Sequence, residues 1–308
     1  MTDLEADSDR ACPLGERAAL PGAAFGVAMA CFYSSVFLIW DRLVEDVPSP
    51  VVGLGVYVVG VAVLACALSL ARRADDLRPP RRHWPSLLVI GVIGFTINAS
   101  ILTGIALSTA AKAAILTRTD TFFAAVIGAI FIGERLRKVA VWALALMFAG
   151  AVLAMDIKLG ELMPPSRADL LFVLAAFCLG LNAVIIKTRL THLSRFTIAQ
   201  FNMLVTLLLF AVLVTVGGHW GEVPRLATAR VGALTLICGC LAVGSYVCYY
   251  SALRLLQSWE ARSFSLLVPV IVGVGSLVFF GEALGATQIA GMVCVVAGAL
   301  VVNRAWPG

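Results

Sequence analysis

The sequence predicts an all-α membrane protein with ten transmembrane helices, built as two inverted five-helix repeats. Hydrophobic residues make up 61% of the 308-residue chain and charged residues 13%, against roughly 45–50% and about 25% in soluble domains. The mean hydropathy is +0.98. Because so few charges cannot cover a water-exposed surface, lipid must surround most of the protein. The chain also contains an internal repeat, since residues 113–136 and 261–284 are both apolar and both close on Gly-Glu-x-Leu.

Ten apolar stretches have about the length that a helix needs to cross a bilayer, which is about 20 residues. They are residues 22–40, 49–71, 85–107, 110–132, 139–155, 168–187, 197–217, 231–251, 261–281 and 286–303. The amino-terminal tail is acidic and polar, and it lacks the basic start and early apolar run of a signal peptide. We therefore expect the first stretch to be retained as a membrane span.

The ten spans divide into two halves of similar design. We assign residues 1–21 to a cytoplasmic tail, 22–156 to the first repeat, 157–166 to an external linker, 167–304 to the second repeat and 305–308 to a carboxy-terminal tail. The two Gly-Glu-x-Leu motifs lie 148 residues apart, which is close to half of the chain. Duplicated halves are a common plan for secondary transporters.

The loop charges predict the orientation of the chain in the cytoplasmic (inner) membrane. Lysine and arginine concentrate in the loops after the second, fourth and sixth spans and are fewer in the alternate loops. Since basic loops stay on the cytoplasmic side, both termini are predicted to be cytoplasmic. Each half has an odd number of spans, so the second half must enter from the opposite side. This places Glu134 at the cytoplasmic face and Glu282 at the external face.

Each half resembles the EamA repeat of the drug/metabolite transporter superfamily. In that family the fourth span of each repeat contains a proline and closes on Gly-Glu-x-Leu. The second half has Pro269 and Gly281-Glu282-Ala283-Leu284, whereas the first half has Thr121 in place of the proline and closes on Gly133-Glu134-Arg135-Leu136. The resemblance covers nearly the whole chain. It implies an exporter or exchanger of small metabolites such as amino acids, or of drugs.

The fourth span contains the polar run Thr117-Arg118-Thr119-Asp120-Thr121. Charged residues inside a span are costly and are therefore candidates for function. Positions i and i+2 lie about 200° apart on a helix, so we expect one charge to face a cavity and the other to contact a neighbouring helix. Arg118 could instead extend to the membrane interface. Asp120 is the candidate proton carrier, or a structural residue if it is permanently paired.

Further cavity-lining candidates are neutral polar residues in other spans. The full set is Asn98, Thr117, Arg118, Asp120, Thr121, Asn182, Tyr246, Tyr249 and Tyr250. Asn98 and Tyr246 are 148 residues apart, so they should lie at similar depths in the two halves, where transporters bind their substrates. The alternative is ordinary hydrogen bonding between helices, worth about 0.6 kcal/mol on average.

The two Gly-Glu closures have a structural interpretation. Glycine suits the end of one helix. The glutamate would then lie in the first turn of the next helix, where the positive end of the helix dipole favours it.

Several functional classes are not supported by the sequence. Seven of the eight cysteines lie in apolar stretches, where cysteine behaves as a small hydrophobe, and neither a metal site nor any other cofactor is expected. The net charge of +5 is spread through loops, so nucleic acid is not an expected partner. The chain lacks a phosphate-binding loop and a nucleophile elbow. The expected partners are a small-molecule substrate and the lipid bilayer; a homodimer is compatible with the sequence.

We therefore expect a secondary transporter that moves a small metabolite, amino acid or drug by alternating access, outward by family analogy. A non-transporting membrane receptor or assembly subunit on the same scaffold is the alternative. The polar fourth span favours the transporter, because a scaffold has little reason to hold Arg118 and Asp120 in lipid. An intramembrane enzyme would need converging catalytic residues, which the sequence does not indicate.

Overall fold

The computed structural model describes residues 14–108, 110–134, 138–154, 166–275 and 285–304, and the regular elements in these ranges are helices. The α-helices are α1 (Leu14–Asp46), α2 (Ser49–Leu70), α3 (Trp84–Leu107), α4 (Ala110–Leu116), α5 (Asp120–Ile132), α6 (Lys138–Ala154), α7 (Arg167–Ile185), α8 (Arg195–Val216), α9 (Ala229–Leu255), α10 (Ser258–Ser263), α11 (Val268–Gly275) and α12 (Ala286–Arg304). Short 3-10 segments connect α4 to α5 and α10 to α11.

The helices form a multi-pass membrane bundle. Seven described segments are long and apolar enough to cross a bilayer, one of them the combined α4–α5 segment, and α6 and α12 are shorter apolar helices. The predicted ninth stretch is described as far as residue 275, and most of the predicted linker, 157–166, lies outside the described residues. The first helix begins at Leu14, ahead of the predicted span start at residue 22.

The main helix contacts are made between the two halves of the chain. Helix α1 packs on α9, and α3 packs on α7. Helix α2 contacts both α8 and α9, α8 also contacts α3, and α6 packs along α12. Helix α7 of the second half corresponds to α1 of the first, α8 corresponds to α2, and α9 corresponds to α3. The contact of α1 with α9 therefore has its equivalent in the contact of α7 with α3, and the contact of α2 with α9 has its equivalent in that of α8 with α3. The interior is therefore built at the interface between the halves.

Alternate loops gather at opposite ends of the bundle. At one end, His192 Nε2 lies 3.1 Å from His83 Nε2, and the Arg195 guanidinium lies over the ring of Phe25, in the first half of α1. At the other end, Arg230 Nη1 lies 3.7 Å from an oxygen of Asp46, the last residue of α1. A chain that crosses a bilayer back and forth must place its alternate loops on opposite sides, and the observed contacts have this arrangement.

Helices α6 and α12 cross at glycines. A Cβ on Gly291 would lie 2.4 Å from the backbone nitrogen of Ala154 and 2.5 Å from the carbonyl oxygen of Gly150. Such contacts are shorter than any side chain allows, so the missing Cβ lets the two backbones touch. Small residues at crossings are the usual means of packing helices in lipid, where no hydrophobic drive brings them together.

Candidate functional site

A cavity of about 70 Å³ lies at the interface of the two halves. All five tyrosines of the chain line it, namely Tyr33, Tyr57, Tyr246, Tyr249 and Tyr250. Trp40 and the amides of Asn98, Asn182 and Asn202 complete much of the wall, together with Arg262. The lining comes from α1, α2 and α3 of the first half and α7, α8, α9 and α10 of the second. The cavity is therefore aromatic, with a small number of polar groups.

Hydrogen bonds between helices fix part of this wall. Asn98 Nδ2 donates to Tyr246 Oη at 3.2 Å, and Tyr246 Oη lies 3.2 Å from Tyr57 Oη. Asn202 Nδ2 donates to Tyr250 Oη at 2.9 Å. The rings of Tyr246 and Tyr250 pack with their centroids 5.8 Å apart. The two repeat-related residues Asn98 and Tyr246 are thus in direct contact across the interface.

Gly94 explains how α8 approaches α3 closely enough for these bonds. A Cβ at this position would lie 2.2 Å from Asn202 Oδ1. The absence of a side chain therefore makes room for the Asn202 amide, which donates to Tyr250 at the cavity wall.

Both halves interrupt a span with a 3-10 segment at equivalent positions. The first covers Thr117–Thr119, between α4 and α5, and the second covers Phe264–Leu267, between α10 and α11. In the second half Pro269 follows the break as the second residue of α11, a position where proline is well tolerated. In the first half Thr121 is the corresponding residue. Mid-span 3-10 segments often mark functional positions.

The two 3-10 segments and their flanking residues face each other across the interface between the halves. Arg118 Nη1 donates to the carbonyl oxygen of Ser265 at 2.8 Å. Ser265 Oγ donates to Asp120 Oδ1 at 3.4 Å, and Thr121 Oγ1 donates to the carbonyl oxygen of Arg262 at 3.3 Å. The threonine that replaces proline in the first half thus supplies a hydrogen bond that proline could not make.

Arg118 is fully buried, and it does not extend to the membrane interface as one sequence interpretation allowed. Its Nε donates to the Ala114 carbonyl at 3.0 Å, its Nη2 donates to Thr117 Oγ1 at 3.0 Å, and its guanidinium lies over the Tyr33 ring. Thr117 Oγ1 donates in turn to the carbonyl of Ala113 at 2.6 Å. Hydrogen bonds to carbonyls and the aromatic face therefore stabilise this cation inside the bundle.

Asp120 lies beside a second buried cation. Arg262 Nε is 3.5 Å from Asp120 Oδ2, and the Arg262 guanidinium lies 4.4 Å from the centre of the Tyr249 ring. Both charged residues are at least 96% buried, with exposures of 4% for Arg262 and 1% for Asp120. Arg262 lines the cavity, whereas Asp120 lies behind it.

The nine predicted site residues therefore fall into two groups. Those that line the cavity are Asn98, Asn182, Tyr246, Tyr249 and Tyr250. Those that pack behind it, at the facing 3-10 segments, are Thr117, Arg118, Asp120 and Thr121. The two groups meet at Arg262, which lines the cavity and pairs with Asp120.

The sequence analysis did not predict Arg262 as a site residue, although it is the second residue of the predicted ninth span. The helix α10 begins at Ser258, so Arg262 lies within it. The available signal was Glu260, three residues after Gln257: its carboxylate accepts from the backbone N–H of Gln257 at 2.7 Å. A carboxylate at this spacing is typical of a helix start.

Glu134 also differs from the sequence interpretation. Gly133 ends α5 in the left-handed conformation with φ of 70°, as expected for a glycine at a helix end. The Glu134 carboxylate, however, accepts from the backbone N–H and the hydroxyl of Ser258 at 2.9 and 3.0 Å, and from Lys187 Nζ at 3.1 Å. It therefore caps α10 in the other half of the chain, a contact that the local sequence pattern does not reveal. Its counterpart Glu282 lies outside the described residues.

A bundle of apolar helices around an aromatic cavity with a few polar groups, placed between two halves, is the architecture of a membrane transporter. The model of the EamA-like transporter family matches residues 20–155 and 166–304. The chain belongs to this family, which confirms the resemblance inferred from the Gly-Glu-x-Leu repeats.

Individual relatives agree with this assignment. The pseudopaline exporter CntI of Pseudomonas aeruginosa, from strains UCBPP-PA14 and PAO1, is 24% identical over 285 residues, which cover 92% of this chain and 97% of the relative. A solved crystal structure aligns with 90% of this chain and 98% of its own at a TM-score of 0.69 and 19% identity. The structural match shows that the fold is shared.

Proposed function

We propose that this protein is a secondary transporter that exports a small metabolite, amino acid or drug across the cytoplasmic membrane by alternating access. The proposal rests mainly on the two 3-10 segments that face each other beside the aromatic cavity. Interrupted helices at the interface of two repeats are a common way to build a transport site. Export is favoured because the named relatives are exporters.

The alternating-access mechanism would use the two halves as inverted repeats that rock against each other. The exchange-symmetric helix contacts support this arrangement. At the predicted cytoplasmic end, Glu134 joins the end of α5 to Ser258 of the other half and to Lys187. We propose that this cluster, called the Glu134 tie, holds the cytoplasmic end closed and must break when the cavity opens inward.

Asp120 is the proposed proton carrier. A proton on its carboxylate would remove the negative charge that faces Arg262 at 3.5 Å. Protonation would therefore free the Arg262 guanidinium, which lines the cavity, and would couple the charge state of Asp120 to the binding surface.

The alternative, a receptor or assembly subunit without transport, accounts less well for the cavity. The Asn182 Nδ2 and Tyr249 Oη atoms are buried and lack a hydrogen-bond partner among the described residues, although both side chains line the cavity. Buried polar groups normally find partners. A small molecule bound in the cavity would supply hydrogen-bond partners for these two groups.

The inverted topology predicts that equivalent loops of the two halves lie on opposite sides of the membrane. We expect a reporter fused after Arg78 to be cytoplasmic and one fused after Gly218 to be external. A third fusion, after His192, serves as a control and should be cytoplasmic, because His192 contacts His83. Alkaline phosphatase and a fluorescent protein give opposite readouts of the two sides. Reporters at Arg78 and Gly218 on the same side would contradict the inverted arrangement.

Comparative metabolite profiling tests the proposed function. Cells with and without the gene are grown in the same medium, and both the medium and the cell extract are profiled by mass spectrometry. We expect at least one small molecule to be lower in the medium and higher inside cells that lack the gene. Identical profiles, with the protein present in the membrane fraction of the parent, would contradict export.

A further inference from the structure

The cavity contains a cation whose hydrogen-bonding capacity is largely unused. Arg262 is 4% exposed and lines the cavity. Its Nε and Nη2 groups lack hydrogen-bond partners among the described residues, and the 3.5 Å approach to Asp120 is longer than the roughly 2.7–2.9 Å of a charge-assisted hydrogen bond. A buried guanidinium normally has its donors satisfied, because an unpaired one is costly.

The local charge balance is also incomplete. Beside the facing 3-10 segments, the buried charged side chains of the described residues that contact the opposite half are Arg118, Arg262 and Asp120, whereas the carboxylate of the nearby buried Glu260 accepts from the backbone N–H of Gln257. Two cations thus share one carboxylate. Arg118 is satisfied by carbonyls and a hydroxyl, so the excess positive charge is available at Arg262. A site with this balance favours an anion.

Two other buried donors belong to the same cavity. Tyr249 Oη and Asn182 Nδ2 have no hydrogen-bond partner among the described residues, and their residues are 7% and 3% exposed. Tyr249 lies directly beneath the Arg262 guanidinium. Both groups can donate to an acceptor oxygen, and a carboxylate offers two oxygens with about four acceptor positions.

We infer that the cargo of this cavity is a small organic carboxylate, whose carboxylate binds Arg262 and whose body packs against the tyrosine wall. The inference rests on the proposed transport function and adds the chemical class of its substrate. Arginine suits this task, since its planar donors match a carboxylate with two parallel hydrogen bonds. The five tyrosines and Trp40 favour a flat or apolar body over a fully hydrated one.

Asp120 then competes with the cargo for the same cation. When the cavity is empty of cargo, Asp120 supplies the negative charge that faces Arg262. When a cargo carboxylate enters, it takes the unused donors of Arg262, and a proton on Asp120 keeps the local charge balanced. No covalent bond forms or breaks in this exchange.

The test compares matched probes on the purified full-length protein in detergent. The probes are 3-phenylpropionate, its neutral amide 3-phenylpropanamide, and benzylphosphonate; binding is measured by microscale thermophoresis. We expect 3-phenylpropionate to bind about tenfold or more tightly than the amide, which is the order expected for a hydrogen-bonded charge. Arg262→Gln should abolish this preference, and Arg262→Lys should retain part of it. Equal affinity for the acid and the amide, or a clear preference for the phosphonate, would overturn the inference.

Further variants cover the case in which Arg262→Gln does not fold. Tyr249→Phe and Asn182→Ala each remove one donor and should reduce the preference for the acid over the amide a few-fold, because a donor bonds more strongly to a charged carboxylate than to a neutral amide oxygen. Asp120→Asn removes the competitor and should tighten binding of the acid. If both donor variants keep the full preference and Asp120→Asn weakens acid binding, the inference fails. The proposed transport function would still stand if metabolite profiling finds an exported compound.

Discussion

Asp120→Asn is expected to destabilise the protein and to abolish transport. Among the described residues at the facing 3-10 segments, Asp120 is the carboxylate that faces Arg262. Its removal leaves two buried cations, Arg118 and Arg262, without a counter-charge. Breaking a buried ion pair by removing one partner costs about 3–5 kcal/mol. Asparagine also cannot take up and release a proton, so coupled transport should be lost even in the molecules that fold. The thermal unfolding midpoint of the purified protein and flux per folded molecule measure the two effects.

A double-mutant cycle separates the charge effect from simple loss of packing. Arg262→Gln added to Asp120→Asn removes one of the uncompensated cations, so the double variant should be more stable than Asp120→Asn alone. The matched control is Asp75→Asn, which changes an exposed residue in the loop after α2 and should leave both readouts as in the parent. Parent-like stability and transport in Asp120→Asn would contradict the role given to this carboxylate.

Glu134→Ala is expected to weaken the contact between the halves at the predicted cytoplasmic end. The Glu134 side chain is 6% exposed and pairs with Lys187 while it accepts two bonds from Ser258. Its removal takes away the carboxylate that pairs with Lys187 and leaves the backbone N–H of Ser258 without its acceptor, so Glu260 remains as the one carboxylate at the described start of α10. We expect a loss of about 3–5 kcal/mol of stability, as for other buried pairs, and a cavity that opens more often toward the cytoplasm.

Thermal unfolding measures the first effect. Labelling of a cysteine placed at Ala242 in the cavity, in a variant without other cysteines, measures the second. Glu45→Ala is the control: Glu45 also pairs with a basic residue, Arg42, but both side chains are more than half exposed, so about 0–1 kcal/mol is expected. An unfolding midpoint and a labelling rate equal to those of the parent would show that the Glu134 tie does not hold the halves together.

The sequence was informative about the helices and the repeat because both depend on local pattern. Apolar stretches of membrane-spanning length and a fixed 148-residue offset could be read directly, and the offset placed Asn98 and Tyr246 at matching depth. In the structure these two side chains are hydrogen-bonded. The departure of Thr121 from the proline pattern also pointed to the region where the two 3-10 segments meet.

The residues that the sequence could not assign depend on contacts between distant segments. Arg262 lies at the edge of the predicted ninth span, and its position in the sequence does not show that it faces Asp120. Nothing local to Glu134 indicates that it reaches Ser258 in the other half. The burial of Arg118 follows from the carbonyl of Ser265, 147 residues away. Each of these features arises where the halves touch, and a pattern within one half does not encode that geometry.

The most direct test of the central claim is to block the cavity without altering the rest of the bundle. Ser245 lines the cavity and is 8% exposed, whereas Ser69 lies in the last turn of α2 on the exposed surface. Ser245→Trp, Ser69→Trp and the parent are reconstituted in liposomes loaded with the compound that profiling identifies, and its efflux is measured. We predict parent-like efflux for Ser69→Trp and none above empty liposomes for Ser245→Trp, with both variants folded. Parent-like efflux through folded Ser245→Trp would contradict transport through this cavity.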